Sequence, residues 1–268
     1  MSQCFKLFDL PDSSLKSPTN NNIQLASEYI AWLNDSGLLI VFSLTKRTNI
    51  FQADNVTSFL WVSNSVIQTP ILVLIQQNSV KYIQTGVITE SVPFDTQKRI
   101  SAFSINQLNE SPWNLSDLPV QFNPKYLFSA DLNSFVLLDD QNSLHQYLIF
   151  PDGIYSSQTT TAKDCTKFVS SGVYFAGHSN QNIHIWASTL EYVNSVAING
   201  SEICAVDSNQ FGVINNDQKS IELASIKNDN SICIEKVDLP SPTTFVAIEN
   251  GKILTQPPNT SFISQTYF

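Results

Sequence analysis

Basic residues are scarce in this chain: Lys and Arg number 14 against 23 Asp and Glu, for a formal charge of −9. Nucleic-acid binding draws on clustered cations that displace phosphate counterions, and anionic membrane surfaces attract the same groups. Charge therefore speaks against nucleic acid as a partner and weakens any broad membrane attraction. Cysteine is equally thin. Cys4, Cys165, Cys204 and Cys233 lie far apart with no pair at zinc-ligand spacing, so they read as small reduced core residues and no metal is expected. Long apolar runs are missing too. Leu38–Phe42 and Ile71–Ile75 are the longest, far below the roughly 20 residues of a membrane-spanning helix. The opening MSQCFKLFDLPDSS has no basic segment followed by an apolar one, so no signal peptide is expected and a cytoplasmic location is. The Asn-X-Ser/Thr sequons are then incidental. There is no helical period of useful length. GxSxG, a Gly-rich phosphate loop and HExxH are all absent, so no catalytic residue and no cofactor are expected. Glycine numbers only 8, whereas Asn and Gln together number 43. Left-handed turn positions must then fall to Asn, Asp and Ser, whose short polar side chains tolerate them.

What the chain does have is a recurring hairpin. Residues 173–188, VYFAGHSNQNIHIWAS, climb through an apolar run into a polar turn and continue in strict alternation: Ile183, Ile185 and Ala187 on one side, His184, Trp186 and Ser188 on the other. That is a β-hairpin with one face committed to burial. Similar sentences open at Ile30, Leu72, Phe135, Phe211 and, in worn form, Ile253. A repeat of roughly 40–45 residues is the propeller-blade range.

The expected fold is all-β: a single β-propeller domain over residues 1–268 with six, or alternatively seven, four-stranded blades. Each blade begins with an inner strand (NIQLASEY, VTSFLWVS, PKYLFSAD, CTKFVS, EICAVDS, TTFVAIE), continues through the hairpin and ends in an outer strand; ITESVPF is the outer strand expected for blade two. Blade six shows only three strands, and residues 3–9 supply a fourth that would close the ring and remove open edges. The step from Leu72 to Phe135 exceeds the others. The excess implies an inserted loop at about 95–123, with one helical turn capped by Asn114 or Ser116, or else a degenerate strand pair.

That insert holds the best interaction candidates. Trp113 and Leu115 stand in a polar segment with Lys98 and Arg99 upstream, and an exposed Trp among apolar neighbours is an interface anchor. The competing reading folds Trp113 back onto the domain, as long loops often pack their own side chains. His178 and His184 are placed to approach each other across a hairpin turn, but no carboxylate or thiol accompanies them, so His145, His178 and His184 read as structural. Asp139-Asp140 and Asn215-Asn216-Asp217 lie in hairpin turns without an oxygen-rich cation loop, which favours turn chemistry.

The hairpin FAGHSNQNIHIWAST resembles the WD-repeat signature, with Trp186 at the family's tryptophan and Ala187 in place of its aspartate. The resemblance implies a diverged WD40-like propeller without the His–Asp network of strict repeats. A second set of blocks is similar to the N-terminal propeller of the class C vacuolar protein sorting family, in the subunit shared by the CORVET and HOPS tethers. These are CFKLFDLPD, YIAWLNDSGLLIVFSLTKRTNIFQADNVTSFLWV, FVLLDDQNSLHQYLIFPDG, DCTKF and VYFAGHSNQNIHIWAS, with Phe51-Gln52-Ala53 and Val56-Thr57 the most specific piece. Members of that family continue into an α-solenoid and a cysteine-rich RING, patterns absent from these 268 residues. The likeness implies a non-enzymatic scaffold in vesicle tethering, peripheral on endosomal or vacuolar membranes, with tethering subunits or small GTPases as partners. The alternative is a propeller hydrolase or small-ligand-binding propeller with a central-channel site.

Overall fold

A computed structural model of the chain describes residues 23–62, 70–84, 113, 115–131, 133–150, 153–179, 181–239, 245–249, 252–256 and 264–267, with the backbone alone for Ile23 and from residue 245 onward. All regular structure among these residues is β-strand. Sheet one comprises β1 (Ile23–Ala26), β2 (Tyr29–Leu33), β3 (Leu39–Ser43) and β4 (Thr48–Ala53). Sheet two comprises β5 (Val56–Val62), β6 (Ile71–Gln76), β7 (Ser79–Gln84) and β8 (Ser116–Leu118). Sheet three comprises β9 (Pro124–Asp131), β10 (Ser134–Asp139), β11 (Ser143–Phe150) and β12 (Gly153–Thr161). Sheet four comprises β13 (Lys167–Ser170), β14 (Tyr174–His178), β15 (Asn182–Ala187) and β16 (Tyr192–Ala197). Sheet five comprises β17 (Glu202–Asp207), β18 (Gln210–Ile214), β19 (Ser220–Ile226) and β20 (Ile232–Asp238). Sheet six comprises β21 (Phe245–Glu249), β22 (Lys252–Gln256) and β23 (Ser264–Tyr267). Each sheet is a meander in which sequence neighbours pair, and the pairs with a described register are antiparallel.

The hairpin turns explain why each copy folds back where it does. Four residues after the hairpin opening, Asn34 accepts the amides of Ser36 (3.0 Å) and Leu38 (2.9 Å). At the equivalent place Asp139 accepts those of Gln141 (2.9 Å) and Ser143 (2.7 Å). Such side chains replace the backbone partners that a tight turn leaves unpaired. Three residues further on, the chain turns left-handed at Gly37 (φ 81°), Asn142 (φ 63°) and Gln218 (φ 59°) in three of the copies. The two-residue turn of sheet two uses Gln77 and Asn78, both left-handed, as the twist of a hairpin requires.

Burial follows the pleat. In β6 consecutive residues alternate between two cores. Leu72 and Leu74 pack with Ala31, Leu39, Val41 and Phe59, between sheets one and two. Ile71, Val73 and Ile75 pack with Leu127, Phe135 and Leu137, between sheets two and three. Sheet two is thus covered on both faces, which is why its second strand is an unbroken apolar run. In sheet five, Phe211 and Val213 face a core shared with Ala176, Ile183 and Ile185 of sheet four, whereas Ile214 joins Cys204, Ile221 and Leu239 on the other face. Each fully buried Leu, Ile or Phe here contributes about 1.5–3 kcal/mol.

The described residues divide into two compact units, one up to Thr159 and one from Thr160 on. Within the first, β1 adjoins β5 and β5 adjoins β9; within the second, β13 adjoins β17 and β17 adjoins β21. The leading strands therefore lie nearest one another from sheet to sheet, and polar side chains fasten them. The Gln24 amide donates to the Phe59 carbonyl (3.1 Å) and accepts from the Trp61 amide (2.9 Å). The Ser58 hydroxyl accepts from the Leu127 amide (3.4 Å).

Two expectations need correction. The outer place beside β7 is taken by Ser116–Leu118, in register with Tyr82, Lys81 and Val80, while ITESVPF, expected there, lies outside the described residues. Ser116 consequently opens a strand and caps no helix. The strand escapes a sequence reading because it has one apolar anchor, Leu118, buried against Val80 in the core between sheets two and three, so no period is visible. Residues 85–112, which lead up to it, and the strand expected at 3–9 to close the ring lie outside the described residues.

Candidate functional site

Trp113 stands three residues before β8, and the structure seats it on an aromatic cluster made by sheets one and two. Its ring meets Tyr29 edge-on (centroids 5.2 Å apart, 82°) and Trp61 edge-on (6.4 Å, 84°), and it stacks with Phe51 (6.1 Å, 25°). Tyr29 in turn stacks with Trp61 (5.9 Å, 19°). Such pairs contribute about 0.5–1.5 kcal/mol beyond area burial. Trp61 is buried, whereas Tyr29, Phe51, Trp113 and Leu115 are half-buried and pack on the same core. Trp113 therefore belongs to the domain's packing while leaving part of its surface to solvent. Lys98 and Arg99 lie outside the described residues.

A polar margin borders this patch. Glu28 hydrogen-bonds Thr45, and these bonds with Thr45 and Tyr29 hold its carboxyl below the usual value, with Lys46 adding a small part. Burial, then the hydrogen bond to Glu28, pushes the Tyr29 phenol up to about 12. Tyr29 thus keeps its proton at any physiological pH. The margin offers a phenol hydroxyl and an anionic carboxylate beside an aromatic surface.

A second constellation lies in sheet three. His145 Nε2 bonds Asp139 Oδ2 (2.7 Å) and its Nδ1 bonds Thr159 Oγ1 (3.2 Å), while Phe122 stacks on the ring at 3.8 Å. The hairpin register pairs His145 with Leu137, two residues from Asp139, so the carboxylate and imidazole meet diagonally across the pair. Burial alone would raise the Asp139 carboxyl, but the His145 bond and the amides of Ser143 and Gln141 together outweigh it and hold the group below its ordinary value. Carboxylate, imidazole and hydroxyl in line is the order used to activate a nucleophile. The other oxygen of the Asp139 carboxylate accepts two turn amides, and Phe122 covers one imidazole face. The relay ties β12 to β11 and to the turn. An Asp six residues before a His across a hairpin turn is the signal by which it could have been found.

The other histidines do not meet. His178 pairs with Ile183, and His184 with Gly177, so the two side chains leave opposite faces of sheet four. His184 Nδ1 bonds the Tyr192 hydroxyl (3.1 Å), and burial, then Lys163, lowers its pKa. Among the described residues no three His, Cys, Asp or Glu groups gather as a metal site. Cys165 and Cys204 are buried and burial pushes both thiols up to about 12, which makes them inert; Cys233 is exposed. No described helix is long and apolar enough to cross a membrane.

No protein-family model matches the sequence, and no curated protein sequence does. Solved structures are similar to it in fold. Hsv2 from Kluyveromyces lactis superposes with a TM-score of 0.56 at 14% identity, over 91% of this chain and 79% of that one. The Cps50 (Swd1) β-propeller domain of Myceliophteria thermophila gives 0.54 at 13% identity, over 91% and 81%. The WD40 domain of Toxoplasma gondii coronin gives 0.56 at 11% identity, over 89% and 65%. At such identities these likenesses establish the fold alone. The chain has an all-β fold of the β-propeller type.

Proposed function

We propose that the chain is a non-enzymatic protein-interaction scaffold and that it serves vesicle tethering at endosomal or vacuolar membranes. The propeller fold supports the coarse part of this reading, since WD40 propellers are typically scaffolds that bind other proteins. The observation that carries it is the half-buried aromatic face of Tyr29, Phe51 and Trp113 beside Leu115. Large rings that are rigidly held and partly open to solvent offer contact area at small entropic cost. The blocks similar to the class C vacuolar protein sorting family point the scaffold toward tethering-complex subunits or small GTPases. Lys98 and Arg99 are proposed to meet an acidic surface on that partner.

The test uses purified tethering-complex subunits as probes against the immobilised chain. A Lys98→Glu/Arg99→Glu double variant should lower capture at least tenfold at physiological salt, with an unchanged melting temperature. Trp113→Ala should also lower capture, and it should cost about 1–3 kcal/mol of stability because the ring is part of the packing. Full capture by both variants would remove this face from the interaction. Absence of any capture by the wild type would remove the tethering assignment.

A further inference from the structure

The link from sheet four to sheet five, residues 198–201, is fastened from below by two side chains of sheet four. Lys167, at the start of β13, donates from Nζ to the Ser201 carbonyl (2.6 Å) and to Glu202 Oε1 (2.5 Å). His178, at the end of β14, hydrogen-bonds the backbone of Ile198 with one ring nitrogen. Its other nitrogen, Nε2, is buried and has no hydrogen-bond partner. His178 is 5% exposed, and Lys167 is its direct cross-strand neighbour. The link is tight on its other side as well. A Cβ on Gly200 would lie 2.2 Å from Val213 Cγ1 and 2.3 Å from the Ile214 carbonyl oxygen, so the link has little room to shift against sheet five.

The charges that reach the imidazole are Lys167 from β13 and Glu202 from β17; β15 presents Ile183 opposite it. A protonated ring would bring a second cation beside the Lys167 ammonium, and its new Nε2–H would point into a buried place without an acceptor. Glu202 offers little compensation, because Lys167 already engages it and its side chain is 47% exposed. An uncompensated buried charge is strongly unfavourable. We propose that His178 makes the junction between sheets four and five acid-labile: the junction is closed while the imidazole is neutral, and protonation loosens the 198–201 link. The direction of its pKa agrees: burial, helped by Lys167, outweighs the Ile198 hydrogen bond and Glu202, which favour the charged ring, and holds it below the ordinary histidine value. The sign follows from linkage. The unfolded chain protonates this histidine at about pH 6.5 and the folded chain does so only at lower pH, so stability falls as pH drops below about 6.5. Carboxylates contribute to acid unfolding only at lower pH, which leaves the window from pH 6.5 to 5 to the histidines.

The test follows thermal and urea unfolding of the whole chain between pH 7.5 and 5.0. Within the range between its two pKa values, this one group should lower the wild-type folding constant by up to tenfold per pH unit. His178→Gln keeps a donor for Ile198 without a titrating group and should flatten that fall. A fall of the same size in the variant would place the acid sensitivity elsewhere, His184 included, and overturn the proposal. Should the variant not fold, hydrogen exchange of the wild type at pH 7.5 and 5.5, corrected for intrinsic rates, decides the matter. Residues 167–170 and 198–207 should lose protection before residues 71–76 do. Uniform or unchanged protection would equally overturn it.

Discussion

Gln218 occupies the left-handed corner of the β18–β19 turn at φ 59°, where two other copies of the hairpin have Gly37 and Asn142. The series Gly, Asn, Gln runs from the residue best suited to that backbone toward one poorly suited to it, because a Cβ crowds the following carbonyl. The amide of Gln218 bonds the Asn215 carbonyl at 2.8 Å, so the turn is held closed whatever residue stands there. Gln218→Gly is expected to stabilise the chain by about 0.5–1 kcal/mol, the relief of left-handed strain less the extra backbone entropy of glycine. A urea midpoint that fails to rise would show that the turn carries no such strain. Low glycine content announces a chain that must fill left-handed corners with other residues. Asn55, Asn78, Asn142, Asn230, Asp164 and Ser27 do so as composition suggests, while Arg47, Gln77, Lys163, Leu190 and Gln218 do so against their preference. Leu190 is buried, and that burial offsets its backbone cost, a compensation no local sequence window can reveal.

At the level of the strand, β6 shows how one element serves two cores. Leu72 and Leu74 face sheet one while Val73 faces sheet three. Leu72→Ala and Leu74→Ala should each cost about 2–5 kcal/mol. Because both line the same core, the pair should depart from additivity by about 0.5 kcal/mol or more. Leu74→Ala with Val73→Ala should instead add to within about 0.5 kcal/mol, although the two residues are neighbours in sequence. Chemical unfolding of the three single and two double variants checks this, and the opposite pattern would contradict two-sided burial of the sheet. Strands with a long apolar run or a clean alternation, β6 and β15 among them, are legible from pattern alone. β8 is not: three residues with one buried leucine carry no period, and only pairing with β7 makes them a strand.

For the whole molecule, stability against pH should show two separate losses. The first lies below about pH 6.5 and comes from His178 together with His184, whose folded pKa is also lowered. The second lies below the ordinary carboxylate range and includes Asp139, whose folded pKa is depressed. A depressed carboxyl contributes stability that is present above its unfolded pKa, about 3.9, and is lost as pH falls through its folded pKa. Asp139→Asn should therefore weaken the chain at pH 7 by about 1–3 kcal/mol, through the turn amides and His145 left unsatisfied, and should flatten the profile below pH 4. A variant that keeps the wild-type acid limb would show that Asp139 has no part in it.

Periodicity determined the all-β class, the hairpin copies and most of the strands, because alternation and turn residues are local consequences of the pleat and of backbone sterics. The leading strands were legible for the same reason. The partners of side chains were decided only by tertiary structure. Trp113 reads equally as an exposed anchor or a packed ring until Tyr29, Phe51 and Trp61 are brought beneath it. His145 looks solitary until the hairpin register sets it diagonally from Asp139, and His178 becomes an acid-sensitive group only when Lys167 and the link at Ile198 close over it. Burial, desolvation and pairing depend on residues tens of positions away, and their energies exist only once the sheets have packed.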